Sequence, residues 1–282
     1  MYNKQLTLFH NGSSDTQNNE INLHDYDVII INSSAGKDSA VSIYEICRLA
    51  HKQSYSRENI HVSHQELAEE WQGTKELAQE QAEFFGLQIH FTKRRDKSGR
   101  EETLLEYVER RGKWPSNKQR YCTSDFKRGP GARVINKLAP GRTNNKVLYV
   151  FGFRAEESPG RSKKEKLSIN DRHTTKAGRE VWEFLPVHGW SCEKVWETIF
   201  ENEIPYHWAY DKGMPRLSCC FCIFSPFEAL VTAGYENPDL LDKYVEVEQK
   251  INHRFRDNLA IEEVQKAVKD GYKPEKIEDW TM

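Results

Sequence analysis

The chain has 282 residues, 30% charged and 37% apolar, with a formal net charge of −2. That is enough for one large domain or a domain with a substantial appendage. No apolar stretch approaches the roughly eighteen residues a membrane span requires, so no membrane partner is expected.

The near-neutral total hides an asymmetry. Between Lys93 and Arg179 there are 24 Lys and Arg against 10 Asp and Glu, which leaves 17 against 33 in the remainder. A basic middle in a near-neutral protein suits a polyanionic ligand such as a nucleotide or nucleic acid. The segment from Met1 to about His24 is polar and lacks the basic and apolar regions of a signal peptide. It reads as a flexible or lightly docked arm of a cytoplasmic protein. Without a secretory signal, the six cysteines (47, 122, 192, 219, 220 and 222) are not a disulfide framework, and a cluster among them points to metal or redox chemistry.

Taken in order, Val28-Ile29-Ile30-Ile31 reads as a buried parallel strand. It runs into the turn Ser34-Ala35-Gly36-Lys37-Asp38-Ser39 and then a helix from about Asp38 to His51, with Cys47 on its apolar face. A strand, a small-residue turn and a helix N-terminus make an anion site, because first-turn N–H groups and the helix dipole face the ligand. Lys37 adds a full charge. The Walker spacing is absent. The turn resembles the pyrophosphate loop (Ser-Gly-Gly-x-Asp-Ser) of the adenine nucleotide α-hydrolase superfamily, with Ala35 in place of the first Gly; Ala serves there unless the position needs a positive φ.

Further strands are predicted at Asn59–Ser63, Leu87–Phe91 and Lys146–Phe151, and helices at about Gln65–Phe85 and Glu101–Arg111. Alternating strands and helices imply a doubly wound, mostly parallel α/β sheet with ligands beyond the C-terminal strand ends, which places Ser34 and Gly152 on one rim. His61 and His64 read as packing or surface residues as readily as ligands.

Cys122 lies among Arg120, Lys127 and Arg128, a setting that favours a thiolate, before a helical run from Ala132 to Leu138. After Gly152, Arg154 is positioned as an anion clamp, with Arg161 beyond. Val181–Val187 reads as an edge strand closed by Pro186, and Ser191 caps a helix that ends near Asn202. Cys219 and Cys222 have the Cys-x-x-Cys spacing of a shared ion or cluster; a redox dithiol is the other chemistry this spacing serves. With Cys122 they fit an iron–sulfur cluster better than a closed zinc site. Helices follow at Glu228–Gly234, Asp239–Phe255 and Ile261–Lys269.

Four motifs in order, the loop at Ser34–Ser39, the Cys122 segment, Gly152-Phe153-Arg154-Ala155-Glu156-Glu157-Ser158 and the Cys219/Cys222 pair, resemble the phosphoadenosine phosphosulfate (PAPS) reductase-like family. Within it, the chain is similar to DNA-phosphorothioation-type ATP pyrophosphatases. The resemblance implies an adenine nucleotide α-hydrolase-like fold over residues 25–222, with a helical extension over 223–282. It implies ATP and Mg²⁺ at Ser34, Ala35, Gly36, Lys37, Asp38, Ser39, Gly152 and Arg154, of which Lys37, Asp38 and Arg154 would act in catalysis. It also implies a [4Fe–4S] cluster on Cys122, Cys219 and Cys222. Tyr121 stands where adenylylsulfate (APS) reductases carry another cysteine, so Cys220, His207, water or substrate sulfur would complete the set. The reductases' Glu-Cys-Gly nucleophile has no counterpart before Met282. The expected function is therefore ATP α–β cleavage with sulfur transfer to a DNA or tRNA acceptor, supplied by a sulfur-donor protein. A sulfonucleotide reductase and a non-catalytic nucleotide-sensing or DNA-binding subunit are the alternatives.

Overall fold

A computed structural model describes residues 20–280. The first nineteen residues of the expected N-terminal arm lie outside the described residues. Its last part is docked: Leu23 is fully buried, and its N–H donates to Gln53 Oε1 at 2.8 Å.

The chain forms two compact units, each assembled from three stretches: 1–64, 76–90 and 134–206 in the first, and 65–75, 91–133 and 207–282 in the second. This division differs from one drawn between 222 and 223. The segment carrying Cys122 and the Cys-x-x-Cys turn shares a core with the C-terminal helices, since Tyr121, Phe126, Cys220, Leu230 and Tyr244 belong to one buried cluster.

The first unit is built on a six-stranded sheet of order β3-β2-β1-β4-β6-β5. Its strands are β1 (Val28–Ser33), β2 (Ile60–Gln65), β3 (Gln88–Thr92), β4 (Lys146–Val150), β5 (Leu167–Ile169) and β6 (Glu180–Phe184). The pairs β1–β2, β1–β4 and β4–β6 are parallel, and β5 joins β6 antiparallel. Alternation along β1 splits the core. Ile29 and Ile31 pack with α1 (Lys37–Gln53), and Ile30 packs with Val134, Ile135 and Ala139 on the opposite face. Buried faces on both sides make this the doubly wound α/β sheet expected.

Three local readings change. Residues 66–73 are not helical: Glu66 N–H bonds Thr92 O, Gly73 adopts φ +88°, and α2 begins at Thr74 and ends at Phe84. β6 is not the edge strand, because β5, three residues within the basic stretch, covers it. Helix α3 (Leu104–Arg111) starts three residues later than predicted, at a Thr103/Glu106 capping box.

In the second unit, Tyr121–Thr123 form one helical turn and Ser124–Arg128 a π-turn before α4 (Gly129–Leu138). The first unit adds α5 (Cys192–Glu201). The C-terminal helices of the second unit are α6 (Phe227–Glu236), α7 (Pro238–Ile251) and α8 (Ile261–Lys269). Asn252, in the left-handed region, ends α7 before Phe255. No helix among the described residues is long and apolar enough to cross a membrane.

Candidate functional site: an anion loop and a cysteine-bearing turn

The loop in the first unit is made by β1 ending in hydroxyl residues and α1 starting on glycine. Ser33 Oγ accepts from Ala35 N–H at 3.0 Å, and Ser39 Oγ donates to Gly36 O at 2.8 Å. Gly36 is the N-cap, so the N–H groups of Lys37, Asp38 and Ser39 fall in the first turn and have no intrahelical acceptor. Ala35 is fully buried with φ +58°. The position therefore does require the left-handed region, and Ala35 is strained where the superfamily's glycine is not.

Gly152, just past β4, closes the loop from beside it. A Cβ there would stand 2.6 Å from Asp38 O and 2.9 Å from Ser39 N, distances that no side chain tolerates. Arg154 follows with 1% exposure, and its Nε donates to Asp38 Oδ1 at 2.5 Å. Its Nη1 bonds Glu156, whose Oε1 also accepts from Cys192 N–H at 2.8 Å. Lys37, 2% exposed, is 3.4 Å from Asp38 Oδ2. Burial opposes charge on Arg154, but Asp38 and Glu156 outweigh it and hold the guanidinium more basic than usual. Lys37, Asp38, Arg154, Gly152 and Ser34–Ser39 are thus brought together. Asp38, the expected neighbour of Mg²⁺, is engaged by two cations.

Two further residues position the loop: Gln81, which escaped sequence reading, and His64, whose packing alternative holds. Gln81 on α2 is fully buried and donates through Nε2 to Ala35 O at 3.2 Å and Pro205 O at 2.9 Å, tying down the strained residue. His64, also fully buried, bonds Ser33 O through Nδ1 at 3.0 Å. A polar residue inside an otherwise apolar helix face was the only signal for Gln81.

In the second unit, Glu70 bridges to Cys219, and Cys220 N–H donates to Glu69 O at 3.0 Å. Burial pushes the Cys219 and Cys222 thiols up; Lys127 works against this for both and does not prevail. The thiolate-favouring field expected from the basic residues is therefore outweighed by desolvation at these two thiols. Lys127 is itself opposed by burial, yet Cys219, Glu70, Cys222 and Cys122 keep it more basic than an ordinary lysine. Tyr121 points into the core, its hydroxyl on Lys113 O at 2.7 Å. His207 uses both ring nitrogens, Nε2 with Thr74 Oγ1 at 3.3 Å and Nδ1 accepting from Ala209 N–H at 3.1 Å, so it is not a spare ligand. Among the described residues, no group of three or more His, Cys, Asp or Glu side chains is gathered closely enough to hold a metal ion.

Around the same turn, several buried polar atoms lack a partner: Trp71 Nε1, Ser225 Oγ, Tyr244 Oη, Arg256 Nε and Glu69 Oε2. Burial raises the Glu69 carboxyl to about 7, despite the N–H of Leu105 on Oε1 at 3.1 Å.

Residues 28–225 match the model of the phosphoadenosine phosphosulfate reductase domain. An uncharacterized protein of Methanocaldococcus jannaschii is 26% identical over 220 residues, 78% of this chain and 47% of its own length. The adenosine 5′-phosphosulfate reductase of Salinibacter ruber is 26% identical over 124 residues, 43% of this chain and 42% of its own. The chain thus spans less than half the length of these relatives. A Candida auris phosphoadenylyl-sulfate reductase structure in a phosphate complex aligns over 68% of this chain and 80% of its own, with TM-score 0.46 and 19% identity. With a family match that takes in both the anion loop and the cysteine-bearing turn, the chain belongs to the phosphoadenosine phosphosulfate reductase domain family.

Proposed function

We propose that this protein binds an adenine nucleotide through the Ser34–Ser39 loop and acts on a sulfonucleotide of the adenylylsulfate or phosphoadenylylsulfate class. The products would be sulfite and AMP from adenylylsulfate, or sulfite and adenosine 3′,5′-bisphosphate from phosphoadenylylsulfate, with two electrons from an external dithiol that becomes a disulfide. The observation that carries this reading is the cradle itself: the α1 N-terminus, the close approach of Gly152, and Lys37 and Arg154 buried beside it. Backbone N–H groups and two desolvated cations would hold the anionic end of the nucleotide and offset charge developing on the leaving phosphate. Family membership favours this reading over ATP cleavage.

A second reading keeps specific support. The loop retains Ser34, Gly36, Asp38 and Ser39 of the pyrophosphate pattern, and the segment from Lys93 to Arg179 is strongly basic. Both suit ATP α–β cleavage and AMP transfer to a DNA or tRNA acceptor, with a sulfur-donor protein as partner and Mg²⁺ on the phosphates.

Cys122, Cys219 and Cys222 would hold an iron–sulfur cluster under either reading. The three thiols all raise the basicity of the Lys127 ammonium, but among the described residues they are not gathered closely enough to bind a metal ion in this structure. When bound, such a cluster supplies electron-transfer capacity next to sulfur chemistry. The deciding experiment incubates anaerobically purified protein with ATP, APS and PAPS in turn. Sulfite release supports the first reading, pyrophosphate with AMP the second, and tight binding without turnover a sensing role that sinks both.

A further inference from the structure

Between Arg110 and Arg128 the second unit carries seven Lys and Arg against a single acid, Asp125. Such a run is ordinarily a solvated stretch whose cations pair with neighbouring carboxylates. Here it is neither loose nor neutralised.

The segment is pinned from beneath. Trp114, Tyr121 and Phe126 are buried in the core cluster of the second unit. Trp114 Nε1 donates to His253 O at 3.0 Å, and the Tyr121 hydroxyl donates to Lys113 O at 2.7 Å. Arg111, Lys118, Arg120 and Arg128 are exposed, and none of them forms an ion pair among the described residues. The nearest acids in sequence are already engaged. Glu109 accepts from Lys250 Nζ at 2.7 Å, and Asp125 accepts from the Tyr107 hydroxyl at 2.7 Å and from Ser124 Oγ at 2.6 Å.

Two of these guanidiniums are stacked. Arg111 lies over the Tyr121 ring at 4.6 Å from its centroid, and Arg120 lies over Phe224, on the cysteine-bearing turn, at 4.7 Å. A guanidinium laid on an aromatic ring keeps its N–H groups around its edge and its second face for another planar group. Arg111 gives one N–H to the Tyr107 hydroxyl at 3.5 Å, and the remaining donors of both side chains meet no protein acceptor among the described residues.

Three properties decide what such a surface takes. Cations without counter-ions call for a polyanion. Guanidinium planes on aromatic rings hold phosphate by the edge and a nucleobase by the face. The exposed large apolar side chains among the described residues, Ile169, Phe200, Tyr235 and Tyr272, all lie outside this segment, which therefore lacks the apolar centre of a protein–protein interface.

We infer that Arg111, Lys118, Arg120 and Arg128 form a docking surface for single-stranded nucleic acid, with phosphates on the guanidinium edges and bases stacked on Arg111 and Arg120. This deepens the second reading above and rests on it only for the use made of the bound strand; the surface itself follows from charge and stacking.

The test measures fluorescence anisotropy of labelled oligothymidylate and oligouridylate with the full chain, without ATP, over a series of salt concentrations. Wild-type affinity should fall steeply with salt. Arg120→Ala should weaken binding about ten-fold, through the loss of one stacked base and its phosphate, and lower the slope of log affinity against log salt by about 0.7. Arg120→Lys should keep the slope and still lose affinity, because it retains the charge without the plane. Lys269→Ala, which removes a like charge from α8, should bind as wild type, and melting temperatures check that each variant is folded. Equal losses in Arg120→Ala and Lys269→Ala would reduce the binding to net charge and overturn the surface. No binding by wild type, or wild-type affinity in Arg120→Ala or Arg120→Lys, would overturn it as well. Competition by polyglutamate as effective as that by oligothymidylate would assign the patch to an acidic protein instead. Since binding is read without turnover, a failed docking surface and a failed ATP reaction give different results.

Discussion

Gly152 lies against the backbone of Asp38 so closely that a Cβ would meet the carbonyl oxygen at 2.6 Å and the carbonyl carbon at 2.7 Å. Neither atom belongs to a flexible side chain, so the contact joins the end of β4 rigidly to the first turn of α1. Gly152→Ala must move one of the two. We expect a loss of about 1–3 kcal/mol in stability and a larger proportional loss of nucleotide affinity, measured by urea unfolding and by calorimetric titration with ATP and with APS. Wild-type affinity in a folded Gly152→Ala protein would remove Gly152 from the site.

Ala35 pays for its position with backbone strain. A left-handed non-glycine residue costs about 1–2 kcal/mol, and glycine's freer unfolded chain returns about 0.4–1 kcal/mol of that. Ala35→Gly should therefore stabilise the protein by about 0.5–1 kcal/mol net, and Ala35→Val should destabilise it. Urea midpoints of the two variants check the sign in each case.

Among the described residues, removal of Arg154 leaves Asp38 with Lys37 and Glu156 with the Cys192 amide. Breaking a buried ion pair from one side costs about 3–5 kcal/mol; with Asp38 partly exposed, Arg154→Met should fall at the low end. Arg154→Lys keeps the charge but loses the planar fork that reaches both carboxylates. Its unfolding should be milder and its nucleotide affinity still reduced. Thermal unfolding and calorimetry distinguish the two variants.

The pH dependence of stability contains two opposed contributions. Glu69 has a folded value of about 7, raised by burial from 4.5, so the folded state binds more protons between those values. Stability from Glu69 is present below the lower value and is lost as pH rises through 7, by about 3 kcal/mol in all. Glu69→Gln should flatten that alkaline loss.

His90 runs the other way. Burial and His61, with Nε2 of His90 3.3 Å from Nδ1 of His61, depress it from 6.5 to about 4. Its contribution is present above 6.5 and is lost as pH falls towards 4. His90→Phe should flatten this acid limb and leave the Glu69 limb unchanged, as seen in melting temperatures between pH 4.5 and 8.

The anion loop was legible because its chemistry is local. Four consecutive β-branched residues, small residues and a helix start are all written within Val28–His51, and α8 falls on Ile261–Lys269 for the same reason. What escaped depends on distant partners. Leu67 and Trp71 are spaced like a helix face, but the Glu66–Thr92 bond and the left-handed Gly73 override that period. Three residues of β5 become a strand only because β6 lies alongside them. Gln81 matters through carbonyls 46 and 124 residues away, and no pattern around position 81 encodes either one.

The threading of the second unit through three separate stretches orders events during synthesis. By residue 206 the ribosome has delivered every segment of the first unit, including the whole anion loop. At that point Cys122 has been made, but Cys219, Cys222, Ser225, Tyr244 and Arg256 have not. A nascent chain can thus form its nucleotide cradle while the thiol at position 122 still lacks its companions. A messenger truncated just beyond codon 206 would therefore yield every stretch of the first unit but only two of the three stretches of the second.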